Sequence, residues 1–213
     1  MAGPNEKGPE LTKTPSPPHN RNGKTDKQTY SSAPASPEPA VEQLEDYEAS
    51  GAEFIRLNGK EPFDNAWPTR RALPLIEAME RMEDGGNVGV RLRPTDLVID
   101  VDPRNFDEGD NPIGRLAKDL NLDLGAYPHV ITGSGGSHYY MRLAEPVRVI
   151  NELPEYPGVE FKSHGRQMVS AGSVHPETGQ VYLWDEDPLA TPLGDAAPLA
   201  TEALVELKLS DSN

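Results

Sequence analysis

The chain has no cysteine. That absence excludes a disulfide framework, a thiolate zinc site, an iron–sulfur cluster and a cysteine nucleophile, and it is compatible with a reducing compartment. Long apolar runs are missing too. None approaches the roughly 18 residues that a membrane span needs, and the opening stretch "MAGPNEKGPELTK" has no apolar core of the kind a secretory signal carries. The expectation is a soluble, cytoplasmic protein with no membrane partner. Basic residues are scarce: 20 Lys and Arg stand against 35 Asp and Glu, for a formal net charge of -15. Proteins that wrap duplex DNA through many phosphate contacts carry a basic face. This balance argues against a large footprint of that kind, while leaving room for a local basic groove or an acidic site that holds metal ions. A salt-adapted proteome is another source of such charge.

Apolar residues make up only 35% of the chain, and they are unevenly spread. Residues 1–40 hold eight of the 22 prolines, five Lys/Arg and four Asp/Glu, and Leu11 is the only large aliphatic residue there besides Met1. Such a segment buries too little apolar surface to offset its ordering entropy, so a disordered Pro/Ser-rich tail is expected. Residues 41–194 are expected to form the catalytic domain and residues 195–213 a C-terminal helix.

Within the domain, "AVEQLEDYEASG" reads as a short helix closed by Gly51, "AEFIRL" as a strand and "NGKEPFDNAW" as a loop. "RALPLIEAMERMEDGG" reads as a helix with Leu75, Ile76, Met79 and Met82 inward and Pro74 in its first turn. "NVGVRL" and "LVIDVD" are strands. "NPIGRLAKDLNL" is a helix with Ile113, Leu116 and Leu120 on one face. "HVIT" and "HYYMRL" are strands joined by a glycine hairpin, and "GVEFK" is a further strand. "RQMVSAGS" and "QVYLW" are two more, bracketing the turn "VHPETG". The final helix spans about Asp195 to Leu209, with Leu204, Leu207 and Leu199 inward. Helices and strands mixed in this way imply α+β or mixed α/β architecture.

The strongest chemical signal is "LVIDVDP". On a strand, Leu97, Ile99 and Val101 face one way while Val98, Asp100 and Asp102 face the other. Two carboxylates on one face repel each other, and a divalent cation with hard oxygen ligands offsets that repulsion. The bland alternative is a strand running out into an acidic loop. "GVEFK" places Glu160 and Lys162 on one face, which fits either a third acidic ligand with a phosphate contact or a surface ion pair. The run "GSGGSH" has neither the spacing nor the lysine of a GxxxxGK[ST] phosphate loop, and a strand follows it rather than a helix. It therefore reads as a turn that delivers His138, with His138, Tyr140 and Arg142 on one face and Ser137 and Tyr139 on the other. His175 sits in a second turn, which Pro176 and Gly179 explain without any function.

Taken in order, "GKEPFDNAW", "NVGVRL", "LVIDVDP", "VITGSGGSHYYM", "GVEFK" and "MVSAGSVHPETGQVYLW" resemble the bifunctional primase–polymerase domain of the archaeo-eukaryotic primase superfamily. The resemblance covers roughly Glu42 to Trp184. It implies an α+β, archaeo-eukaryotic primase-like core, with an N-terminal α/β module, an RRM-like module and a cleft between them. It implies that Asp100, Asp102 and Glu160 bind two divalent ions, Mg²⁺ or Mn²⁺. It further implies that Ser137, His138, Lys162, Ser173, His175 and Lys60 contact an incoming nucleotide. The implied activity is a nucleotidyltransferase that extends primers on single-stranded or primed DNA, using dNTPs or NTPs, in replication of a phage or other mobile element. The family's usual glycine-containing turn after "NVGVRL" is replaced here by "RPTD". No GxxxxGK[ST] helicase phosphate loop occurs in this sequence, so either a stand-alone protein or a fragment is expected, and a separate replicative helicase is one candidate partner.

Two other readings stay open at this point. "EFK" matches half of a PD-(D/E)xK nuclease pattern, although Asp102 and Glu160 lie 58 residues apart. A non-catalytic module that binds nucleic acid or nucleotides is the other.

Overall fold

Two β-sheets organise the chain in the computed structural model, which describes residues 42–185 and 198–199. The first sheet has the order β2-β1-β3-β8, from Glu61–Pro62 (β2), Glu53–Asn58 (β1), Asn87–Arg91 (β3) and Gln167–Val169 (β8). The second runs β7-β4-β6-β5-β9, from Val159–Lys162 (β7), Asp96–Val101 (β4), Ser137–Leu143 (β6), His129–Ile131 (β5) and Leu183–Trp184 (β9). β10, Pro198–Leu199, pairs with β6. Among the described residues three α-helices accompany them: α1 at Glu45–Ala49, α2 at Leu75–Glu83 and α3 at Pro112–Asp119. The architecture is α+β, as the pattern of elements implies. Among the described residues no helix is long and apolar enough to cross a membrane.

Strand alternation in β4 splits the interior into two cores. Leu97, Ile99 and Val101 are buried with Leu116 of α3, Met141 and Phe161. On the opposite face Val98 joins Tyr140, Val130 and the apolar side of the first sheet, including Phe54, Leu57, Val88 and Met168. Fully burying one such side chain contributes about 1.5–3 kcal/mol, so both faces of β4 are strongly specified. Asp100 lies on the Val98 face, beside the junction with the first sheet. In α3, Asn111 caps the N-terminus by accepting from the Gly114 N–H at 3.0 Å, and Pro112 occupies the first turn.

Several elements differ from the sequence reading. The expected loop "NGKEPFDNAW" contains β2, which turns back on β1 through Gly59 at φ +62°. Pro74 is the N-cap of α2 rather than part of its first turn. Ile76 is 62% exposed, because Leu75, Ala78, Met79 and Met82 at i, i+3, i+4 and i+7 already complete the inward stripe. β8 and β9 join different sheets. They bracket the turn at His175, but β8 adds to β3 and β9 to β5. Of the expected C-terminal helix, only Pro198 and Leu199 lie among the described residues, and they form a strand. They pair in parallel with Arg142 and Leu143 of β6. The short β5 reaches only Ser137 to Tyr139, so β10 supplies partners that this length of β6 edge otherwise lacks. The rest of that helix, and the tail at residues 1–40, lie outside the described residues.

The glycine run forms a three-residue hairpin loop between β5 and β6. The Gly135 N–H donates to the Thr132 carbonyl at 3.0 Å, and Gly135 has φ +85°. This is a tight turn followed by a left-handed residue, for which glycine is the low-cost choice. Gly136 serves a different purpose. A methyl group there would land on the Val101 carbonyl oxygen, and backbone cannot yield as a side-chain tip can. Gly136→Ala should therefore destabilise the protein by about 1–3 kcal/mol, read as a lower urea midpoint.

Candidate active site

Cross-strand register builds the site. Asp100 of β4 pairs with His138 of β6 on one side and with Glu160 of β7 on the other. Directly paired residues share a face, so His138, Asp100 and Glu160 form one row across three strands. Val98 stands in the next row, between Tyr140 and Lys162. Lys162 reaches across to the acidic row: its ammonium donates to Asp100 Oδ2 at 2.6 Å and lies 3.2 Å from Glu160 Oε2. Asp102 follows the end of β4 and caps a 3₁₀ turn at Pro103–Asn105. Arg104 grips it with two side-chain bonds, at 2.9 and 2.7 Å.

These groups line a cavity of about 260 Å³, which Asp100, Asp102, His138, Glu160, Lys162, Lys60 and His175 all reach. Of the residues expected at the site, two stay out of it. Ser137 does not line the cavity: it pairs with Val101, on the α3 face of the sheet. Strand parity forces this, since consecutive residues of β6 point to opposite faces. Ser173 is 1% exposed, and its hydroxyl donates to the Val88 carbonyl at 2.9 Å and accepts from the Val88 N–H at 3.1 Å. It pins the His175 turn to β3. Ser173→Ala should cost about 1–2 kcal/mol in a denaturant melt, the penalty for an unpaired buried N–H, and leave activity per folded molecule unchanged.

Arg104, Thr132, Ser134 and Tyr182 also reach the cavity, and sequence reasoning did not single them out. Thr132 and Ser134 lie inside the glycine hairpin, where hydroxyls flanking a turn are a readable signal. Arg104 stands two residues after Asp102 across a proline, a local spacing suited to an ion pair. Tyr182 carries no such signal: its ring stacks on His175, with centroids 5.9 Å apart.

The charges are arranged unequally. Burial alone would lower the Lys162 pKa, but Asp100 and Glu160 outweigh it and raise the value. The Arg104 guanidinium holds the Asp102 carboxyl below its usual range. Burial pushes His138 below the ordinary histidine value, with Asp100 opposing and Lys162 adding to the shift. His138 Nε2 sits 3.5 Å from Asp100 Oδ1, and Nδ1 is buried with no partner among the described residues. A buried orphan of that kind is costly unless a ligand meets the ring. His175 Nδ1 accepts from the Glu177 and Thr178 N–H groups, both at 3.3 Å, so the ring proton belongs on Nε2.

The donor types suit a hard divalent ion: three carboxylates, each already attracting a cation. Among the described residues, no group of three or more His, Asp or Glu is drawn together as a metal-ready cluster. Lys162 and Arg104 occupy the carboxylates instead. A larger groove of about 710 Å³ borders β7 at Phe161 and Ser163 and is lined also by Arg148, His164 and Arg166. It has no carboxylate and therefore lacks the means to hold such an ion.

Comparison with known proteins bears on the same residues. The model of the family described as "Bifunctional DNA primase/polymerase, N-terminal" matches residues 44–200, which include every carboxylate and imidazole of the cavity. No curated protein matches. Among solved structures, one similar chain is the cyanophage S-2L primase-polymerase (PrimPol) AEP domain, at 13% identity and a TM-score of 0.43, covering 81% of this chain and 98% of that one. Another is the catalytic domain of primase Repb′ in complex with initiator DNA, at 12% identity and a TM-score of 0.43, covering 80% of this chain and 94% of that one. With the family match spanning most of the chain and enclosing the whole acidic row, the protein belongs to the bifunctional DNA primase/polymerase family of nucleotidyltransferases.

Proposed function

We propose that the cavity between the two sheets extends a primer on a DNA template, adding nucleotides from dNTPs or NTPs. The observation that carries this reading is the row His138–Asp100–Glu160, with Asp102 beside it and Lys60, Arg104 and Lys162 on the same walls. Carboxylates and cations in one small cavity suit a substrate that is itself a polyanion. Asp100, Asp102 and Glu160 are the residues that would hold Mg²⁺ or Mn²⁺, which lowers the pKa of an attacking hydroxyl and stabilises the leaving oxygens.

The chain's own groups do the rest. Lys162 and Lys60 offset triphosphate charge. Neutral His138 and the Nε2–H of His175 donate to phosphate oxygens, fixing the α-phosphate for in-line attack by a primer 3′-hydroxyl. The bond formed joins that oxygen to the α-phosphorus, and the bond broken releases pyrophosphate. The setting that fits is replication of a phage or other mobile element, with a replicative helicase as a candidate partner.

A nuclease reading draws on Asp100, Glu160 and Lys162, which do converge. It leaves Asp102, His138 and His175 without work, and the family match goes against it. The test is incorporation of labelled dNTPs and NTPs into a primed template with Mg²⁺ or Mn²⁺, comparing the natural chain with Glu160→Gln. Incorporation that needs the metal and falls with the substitution is expected. Strand cleavage without triphosphates would favour the nuclease.

A further inference from the structure

Every carboxylate on the cavity wall that the mechanism needs is already held by a cation of the same chain, and the two holds differ in kind. Lys162 is on a strand and only 22% exposed in its side chain, and it spans Asp100 and Glu160 at 2.6 and 3.2 Å. Arg104 is on a short 3₁₀ turn and 51% exposed. Its guanidinium faces Asp102 edge-on, Nε to Oδ1 at 2.9 Å and Nη2 to Oδ2 at 2.7 Å, and its N–H adds a bond to Oδ1 at 3.2 Å. Both carboxylate oxygens are thus engaged, along the directions a cation would use. The guanidinium has no other hydrogen-bond partner among the described residues, and it lies on the wall of the cavity that His138 and His175 also reach. A half-exposed ion pair is held weakly, and the same planar fork fits phosphate oxygens as well as it fits a carboxylate.

We propose that Arg104 is an exchangeable guard of Asp102, holding it away from metal while the cavity is empty and moving to the phosphates of a nucleoside triphosphate when one binds. The inference rests on the nucleotidyl-transfer reading of the site. It makes metal and nucleotide binding cooperative. The triphosphate draws Arg104 off Asp102 and frees a ligand for the ion, and by linkage the ion strengthens nucleotide binding by the same factor. The guard also keeps the carboxylate set from assembling around metal before the substrate arrives.

The test uses the full chain and Mn²⁺ alone, followed by electron paramagnetic resonance, in the natural protein, Arg104→Ala, Arg104→Lys and Asp102→Asn. Arg104→Ala should bind Mn²⁺ roughly two- to fivefold tighter, the size expected for releasing one exposed pair. Arg104→Lys should fall between, since an ammonium lacks the fork. In the presence of Mn²⁺, dATP should bind Arg104→Ala several-fold more weakly. Mn²⁺ affinity that is unchanged or lower in Arg104→Ala, or unchanged dATP affinity, would overturn the guard, and with Asp102→Asn still weakened the metal-dependent reading would stand. Mn²⁺ binding indifferent to Asp102→Asn and to Asp100→Asn would overturn that reading itself.

Discussion

Asp100→Asn is expected to lower nucleotide incorporation by roughly 10³-fold while the protein stays folded. Asp100 is the centre of the row: His138 flanks it on β6, Glu160 on β7, and Lys162 donates to it at 2.6 Å. The carboxamide keeps the shape and removes the charge. On the proposed mechanism a divalent ion would lose its most enclosed ligand, and Lys162 loses the partner that draws it across the sheet. The fold survives because Lys162 keeps Glu160 at 3.2 Å, so the cost is about 1–2 kcal/mol, the scale of one charge-assisted bond. A calorimetric melt and a single-turnover incorporation assay on the same preparation separate the two effects. A melt depressed as strongly as activity would place Asp100 in the fold rather than in the chemistry.

His138→Asn should reduce nucleotide use by roughly 10²-fold, with the loss seen mainly in the triphosphate concentration required. The residue is 5% exposed, and its Nδ1 has no partner among the described residues. Its ring lines the cavity beside Asp100, where a phosphate oxygen can meet it. The same substitution has a pH signature. Burial lowers the folded pKa of His138 below the ordinary 6.5, so the unfolded chain takes up a proton before the native one does. The contribution to stability is complete above about pH 6.5 and is lost as pH falls from there towards the lowered folded value. His138→Asn lacks that group, so urea midpoints measured from pH 7.5 down to 5 should fall less steeply than those of the natural chain. Parallel slopes would show that His138 is not the group responsible.

Much of this site is local in the sequence, and the rest is not. The alternation in "LVIDVDP" gives both faces of β4, and the alternation in "HYYMRL" puts His138 and Ser137 on opposite faces. The family resemblance groups those two residues as nucleotide contacts, while strand parity separates them, and the structure follows parity. What alternation cannot supply is register. Nothing within either strand says that Asp100 meets His138 rather than Tyr140; the close approach of Gly136 to the Val101 carbonyl belongs to that pairing, and only the assembled sheet shows it. Ser173 shows a different limit. Its burial depends on β3, a strand distant in sequence, so its role against the Val88 backbone is invisible until the first sheet is assembled. Ile76 and the split of β8 from β9 have the same origin, since tertiary packing selects among locally acceptable patterns. Arg104 was legible as a neighbour of Asp102, but its meaning depends on the cavity they share.

The most direct test of the central claim is single-nucleotide extension of a labelled primer on four templates that differ only in the first templating base, with Mg²⁺ or Mn²⁺ supplied. The account predicts a primer one nucleotide longer, an added base that follows the template, and extension slowed by about 10³-fold in Asp100→Asn. A primer that is shortened or left unchanged, or extension by Asp100→Asn at the rate of the natural chain, would contradict it.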